Sequence, residues 1–153
     1  MTITLDAIKA EQTKIAEMIA AFEQQVSETT AIHFPEFMIE LKPGEEYAGL
    51  IVGKDGEASY HLILLPNQAT GINWADAKAF AEKQGGELPT RREQSLLFAN
   101  LKEQFEGEYY WSSEQYASDS DYAWFQGFGN GNQHHYTTNN KLRARAVRRL
   151  AIL

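Results

Sequence analysis

The chain of 153 residues has no cysteine. That absence excludes thiol nucleophiles, Cys-x-x-Cys redox pairs, iron–sulfur clusters and thiolate zinc or copper sites, all of which need the sulfur. It fits a reducing compartment without establishing one. No stretch approaches the roughly 20 apolar residues of a membrane span, and Met1 to Asp6 lacks the basic start and apolar run of a cleaved leader. A soluble protein without a signal peptide or membrane partner is the expectation. Acid is missing from residues 122–153, which carry five bases, whereas residues 1–121 hold all 21 acids and nine bases. The net charge of −7 is therefore −12 and +5 in two parts. An acidic protein has no general attraction to nucleic acid, so no nucleic-acid partner is expected. The length suits one domain of roughly 100–150 residues with a short extension, and such a domain buries enough surface to need no disulfide.

Residues 1–27 read as one helix, with Leu5, Ile8, Gln12, Ile15, Ile19, Phe22 and Val26 at steps of three and four. This is a heptad seam, and it fits either packing on the chain's own domain or a homo-oligomeric coiled coil through residues 5–26. Residues 28–46 read as a linker, broken at Pro35 and Pro43-Gly44, with one alternating run at Phe37, Ile39 and Leu41 that predicts a short strand. A domain then spans 47–153. Tyr47–Val52 and Ser59–Leu65 predict a hairpin turning at Asp55-Gly56. Asn73 caps a predicted helix from Trp74 to about Gln84, stopped by Gly85-Gly86, and Thr90-x-x-Glu93 is a capping box opening the next helix. Strands are expected at Tyr109–Ser113, Tyr122–Phe128 and Leu142–Leu150, with a polar run from Asn132 to Tyr136 after a type I′ turn at Asn130-Gly131. The order is α+β.

The series Trp74-x-x-Ala77-x-x-x-Ala81, Gly85-Gly86, Leu88-Pro89-Thr90-x-x-Glu93, Tyr110-Trp111-Ser112-Ser113, Ala123-Trp124 and Ala144-Arg145-Ala146-Val147-Arg148 resembles the C-type-lectin-like domains of phage and bacterial proteins. The nearest group is similar to the C-terminal domain of the Legionella collagen-like adhesin. Formylglycine-generating enzymes and the variable proteins of diversity-generating retroelements are more distant. The match runs from about Tyr47 to Arg149. It departs where the family's closing Val-Arg-Cys-Val-Arg has Ala144 and Ala146 here. The resemblance implies paired terminal strands, two helices flanking an antiparallel sheet, and an irregular lobe of binding loops. It further implies structural roles for Trp74, Trp111, Trp124, Arg145 and Arg148: Trp111 and Trp124 as core residues, the arginines paired with carboxylates. Location is then expected to be cytoplasmic or virion-associated.

Formylglycine-generating enzymes depend on paired cysteines, and the related sulfoxide synthases take iron ligands from a histidine-bearing bundle that one N-terminal helix cannot supply. No enzyme activity, catalytic residue or cofactor is expected. The Glu-Pro-Asn, Gln-Pro-Asp and Trp-Asn-Asp strings of calcium-dependent lectins do not occur. Asp119 and Asp121 could hold a hard cation but read as a solvated loop. His134 and His135, neighbours on a strand, are expected to face opposite ways, so no metal site is assigned. Lys141, Arg143, Arg145, Arg148 and Arg149 alternate with apolar residues and read as structural ion-pairing rather than a phosphate stripe. Residues 129–140 have no acid, base or aliphatic side chain but many amides, imidazoles and a phenol, the chemistry of antibody paratopes. Asn130, Asn132, Gln133, His134, His135, Tyr136 and Asn139, with Tyr116 and Asp119 of the neighbouring loop, are the candidate ligand-binding residues. The expected function is non-enzymatic binding of a protein or glycan. An intracellular phage protein that blocks a host protein is the alternative.

Overall fold

A computed structural model describes residues 2–27, 32–33 and 36–152. Residues 1–39 and 40–153 form two compact units. In the first, α1 (Leu5–Ser27) starts later than the helix predicted over residues 1–27, because Thr4 Oγ1 accepts the Ala7 N–H and caps it there. No helix among the described residues is long and apolar enough to cross a membrane. Part of the expected linker, residues 28–31, 34 and 35, lies outside the described residues.

The strand expected at Phe37–Leu41 is not formed. Phe37, Met38 and Leu41 are exposed. The second unit takes in residues 40–46 of the expected linker. Buried Glu45 draws residues 40–46 into it by binding Arg148.

Among the described residues the second unit has two sheets and two α-helices, so with α1 the architecture is α+β. The first sheet joins β1 (Glu46–Ile51), β2 (Tyr60–Leu64) and β8 (Val147–Ala151) in the order β1-β2-β8. The predicted hairpin turns at Asp55 and Gly56, both with positive φ (53° and 85°), as a type I′ turn requires. The second sheet has the order β3-β7-β4-β5-β6, from β3 (Ala69–Ile72), β4 (Tyr109–Gln115), β5 (Tyr122–Gly127), β6 (Gln133–Thr137) and β7 (Leu142–Ala144). Its pairing is antiparallel except at β4 with β7, where Tyr110 aligns with Arg143 in parallel.

The two helices start at their predicted caps, and the first stops at its predicted glycines. α2 (Trp74–Lys83) starts where Asn73 accepts the Asp76 N–H, 2.9 Å. It stops in a left-handed glycine cap, in which Gly86 N–H reaches the Ala81 carbonyl and Gly85 N–H that of Glu82. Gly85 supplies the φ of +85°; Gly86 serves close approach, since a Cβ there would lie 2.2 Å from the Val147 carbonyl oxygen. α3 (Arg91–Leu101) has both halves of the capping box, Glu93 N–H to Thr90 Oγ1 and Thr90 N–H to Glu93 Oε1.

The expected last strand at Leu142–Leu150 is two strands in two sheets. Ala144 pairs with Ala69, and Val147 pairs with Leu64. Between them the chain crosses over with Ala144 and Ala146 fully buried, a passage larger side chains would obstruct. Arg145 fastens this crossing. Its guanidinium donates to the carbonyls of Leu65 (2.8 Å) and Gln104 (2.7 Å), so it meets backbone where a carboxylate was expected.

Carboxylate pairing falls to Arg148 and Arg149. Arg148 grips both carboxylate oxygens of Glu45 at 2.8 and 2.9 Å. That hydrogen bond, against the opposing effect of burial, carries the Glu45 pKa from 4.5 down to about 2. Arg149 forks onto fully buried Glu93, 2.8 Å to each oxygen, and reaches Glu87 at 2.8 Å. Burial alone would raise the Glu93 pKa, but the Arg149 and Thr90 hydrogen bonds outweigh it and hold the carboxyl below its ordinary value.

Two apolar clusters fill the unit. One joins Leu62, Leu64, Leu97, Tyr110 and Phe128; the other joins Leu65, Leu88, Trp111, Phe125 and Ala146. Trp111 is fully buried and donates from Nε1 to the Ile72 carbonyl, as Trp74 does to that of Ser112. Trp124 is only half-buried, unlike the expected core residue. Its place on β5 faces the ring cluster described below.

Candidate functional site

The polar run after β5 forms a strand, β6, at the free edge of the second sheet. The turn before it differs from the expected type I′ geometry: Gly131 has positive φ (80°) and Asn130 does not. The Gly127 carbonyl accepts the Gly131 N–H, 2.8 Å, and the Gly127 N–H reaches the Asn132 carbonyl, 2.8 Å. Phe128 explains the longer turn, because its ring enters the core and stacks on Phe105 with centroids 3.8 Å apart. Asn130 Oδ1 accepts the Asn132 N–H, 3.0 Å, leaving both residues exposed at the tip.

Strand alternation then sorts the candidates. β5 and β6 pair Phe125 with His134, Ala123 with Tyr136, Trp124 with His135 and Gln126 with Gln133. Phe125 therefore shares a sheet face with His134 and Tyr136, at ring separations of 6.3 and 6.1 Å. Tyr109 of β4 joins them, 4.8 Å from Phe125. Tyr109, His134 and Tyr136 are exposed around buried Phe125. These rings, with Tyr122, His135 and Thr137, line a shallow depression of about 450 Å³ with no Asp, Glu, Lys or Arg in its lining.

The other parity builds a second cluster. Tyr116 stacks on His135 at 4.0 Å, and Tyr122 and Trp124 meet His135 edge-on at 5.5 and 5.6 Å. The Arg91 guanidinium covers the Trp124 ring at 3.5 Å, a cation–π contact that ties the cluster to the start of α3. Gln133 is held in the same network: its Nε2 donates to the Arg91 carbonyl (2.6 Å) and Gln126 Oε1 (2.8 Å), and its Oε1 accepts from Arg91 Nε (3.2 Å). Its amide is thus engaged within the fold.

His134 and His135 do not separate as alternation predicts, for their ring centroids are 4.7 Å apart. Because β6 is an edge strand, the His134 ring can fold back along the open side. There its Nδ1 accepts the His135 N–H at 2.9 Å. The imidazole covers backbone that would otherwise stand open for another strand to pair with. No group of three or more His, Asp or Glu among the described residues could hold a metal ion.

The remaining candidates lie apart from the depression. Asp119 is exposed and accepts the Asp121 N–H at 2.9 Å, closing the loop that follows Tyr116. Asn139 is exposed and lines a different shallow hollow with Asp121, Thr137 and Thr138. Tyr109, Tyr122, Phe125 and Arg91 were not among the residues expected from sequence. Their membership follows from strand register, which no local motif declares. No protein-family model matches the chain, and no curated protein does.

Proposed function

We propose that residues 40–153 form a non-enzymatic, C-type-lectin-like binding module of a phage, prophage or bacterial accessory protein, and that its ligand seats on the β4–β5–β6 rings. One observation carries this reading. Three exposed rings, Tyr109, His134 and Tyr136, surround Phe125 in a depression at a sheet edge whose lining has no Asp, Glu, Lys or Arg. Exposed rings incur the cost of hydration without a return inside the fold, whereas contact with a ligand buries them at small loss of side-chain freedom. The tip amides of Asn130 and Asn132 lie at the turn into the same strand and offer hydrogen bonds.

The arrangement suits the flat, apolar face of a sugar ring or a protein surface rather than a charged ligand. The test is capture by the intact chain, on an immobilised glycan panel and from bacterial lysate, compared with a His134→Ala, Tyr136→Ala double variant. Loss of capture at unchanged melting temperature supports the site. Capture equal to that of the unaltered chain removes it. An unaltered chain that retains nothing from either source overturns the binding role itself.

A further inference from the structure

Helix α1 raises a question separate from the ligand. Leu5, Ile8, Ile15, Ile19, Phe22 and Val26 occupy one seam and are 46–65% exposed. A seam that repeats every 3.5 residues, rather than 3.6, stays aligned only against another helix of the same repeat. Ile8, Ile15, Ile19, Phe22 and Val26, the five of these that an Ile8-to-Val26 overlap brings together, offer on the order of 550 Å² on each copy, in the low range of specific interfaces at under about 1,200 Å² in total. A second copy of α1 is therefore an adequate occupant.

The residues flanking the seam decide direction. Leu5, Gln12, Ile19 and Val26 take the a positions, and Ile8, Ile15 and Phe22 take d. Lys9, Ala16 and Glu23 then fall at e, and Glu11, Met18 and Gln25 at g. In a parallel pair, g of one helix meets e of the other five residues on. Glu11 would face alanine and Met18 would face glutamate, with no ion pair formed. Ile8 and Ile15 at d also disfavour two parallel strands, because β-branched side chains pack poorly there.

In an antiparallel pair, e faces e and g faces g. With Ile8 against the partner's Val26 and Ile15 against the partner's Ile19, Lys9 meets the partner's Glu23, and symmetry repeats the contact. Ala16 and Met18 each meet their own copies near the two-fold axis. We propose that two copies of this chain join through α1 as an antiparallel coiled coil with reciprocal Lys9–Glu23 contacts. The pairing does not depend on what the ligand is, but it gives the assembly two binding sites and the gain of avidity that linked sites confer.

Light scattering on the full chain tests the stoichiometry: twice the 17.3 kDa chain mass is expected. A monomeric or trimeric mass at every concentration overturns the pairing. Lys9→Glu should raise the dimer Kd about tenfold, since two attractive contacts become repulsive, and adding Glu23→Lys should restore it. Failure of the double variant to recover overturns the register. Because the chain has no cysteine, single introduced thiols report direction cleanly. Oxidation should crosslink Ala16→Cys and leave Gln12→Cys uncrosslinked; the reverse result means parallel strands and ends the proposal.

Discussion

The β8 seam and the β5–β6 hairpin are neighbours in sequence and opposites in use. Along β8, charge is buried and answered: Glu93 is fully enclosed and held by Arg149, Thr90 and Tyr60, and Glu45 by Arg148. Along β6, side chains are uncharged, and His134 and Tyr136 stand in solvent. A buried charge is stable only with partners in place, so the β8 seam rewards rigidity. Exposed amides and rings cost the fold little when replaced, so the hairpin is where a surface can change without unfolding the unit. The comparison teaches that the basic end of this chain holds buried carboxylates, while its neutral stretch leaves His134 and Tyr136 in solvent.

The largest effect expected from breaking this contrast is at Glu93. Glu93→Ala removes both Arg149 hydrogen bonds, the Thr90 cap and the Tyr60 contact, leaving Arg149 paired only with Glu87, at a cost of about 2–4 kcal/mol, and should lower the melting temperature by roughly 10 °C by calorimetry. A loss below about 1 kcal/mol would mean that β8 is not held by its charges.

A smaller effect is expected from acid. The folded state keeps Glu45 ionised down to about pH 2, whereas in the unfolded chain it takes up a proton near 4.5. Its contribution is therefore complete above about pH 5 and is lost as pH falls from there toward 2, a change of about 1–2 kcal/mol allowing for the solvent-facing side of Arg148. Glu45→Gln should flatten that part of a urea-melt series against pH. An unchanged slope removes the role of the pair.

The smallest effect belongs to the hairpin. Tyr136→Ala should shift stability by no more than about 0.5 kcal/mol, as exposed positions do. Trp124→Ala, which loses the Arg91 and His135 contacts, should cost more than that. Equal losses at the two positions would erase the distinction between the supporting face of β6 and the exposed one.

Much of the fold was legible where the signal is local. Asn73, Thr90 with Glu93, Gly85 and Asp55-Gly56 act on backbone groups within a few residues, so sequence spacing is enough to place them. Leu142–Leu150 misled because its apolar-basic alternation is continuous through a crossing between sheets. What ends β7 and begins β8 is the identity of their partners, Ala69 and Leu64, some 75 to 83 residues earlier in the chain. The candidate site divided the same way. Residues 129–140 could be singled out by composition, but which of them share a surface could not.

Sequence by itself settled the absence of sulfur chemistry, the charge division, the helix termini and the heptad repeat of α1, because each depends on residue type and on neighbours close along the chain. Tertiary structure alone decided that Arg145 holds carbonyls while Arg148 and Arg149 hold carboxylates, and that Gln133 is engaged within the fold. It also decided that Tyr109 and Phe125 join His134 and Tyr136. The physical reason is register. A strand's side chains alternate with a period of two, so the face and the companions of every residue are set by which distant strand it pairs with and at what offset.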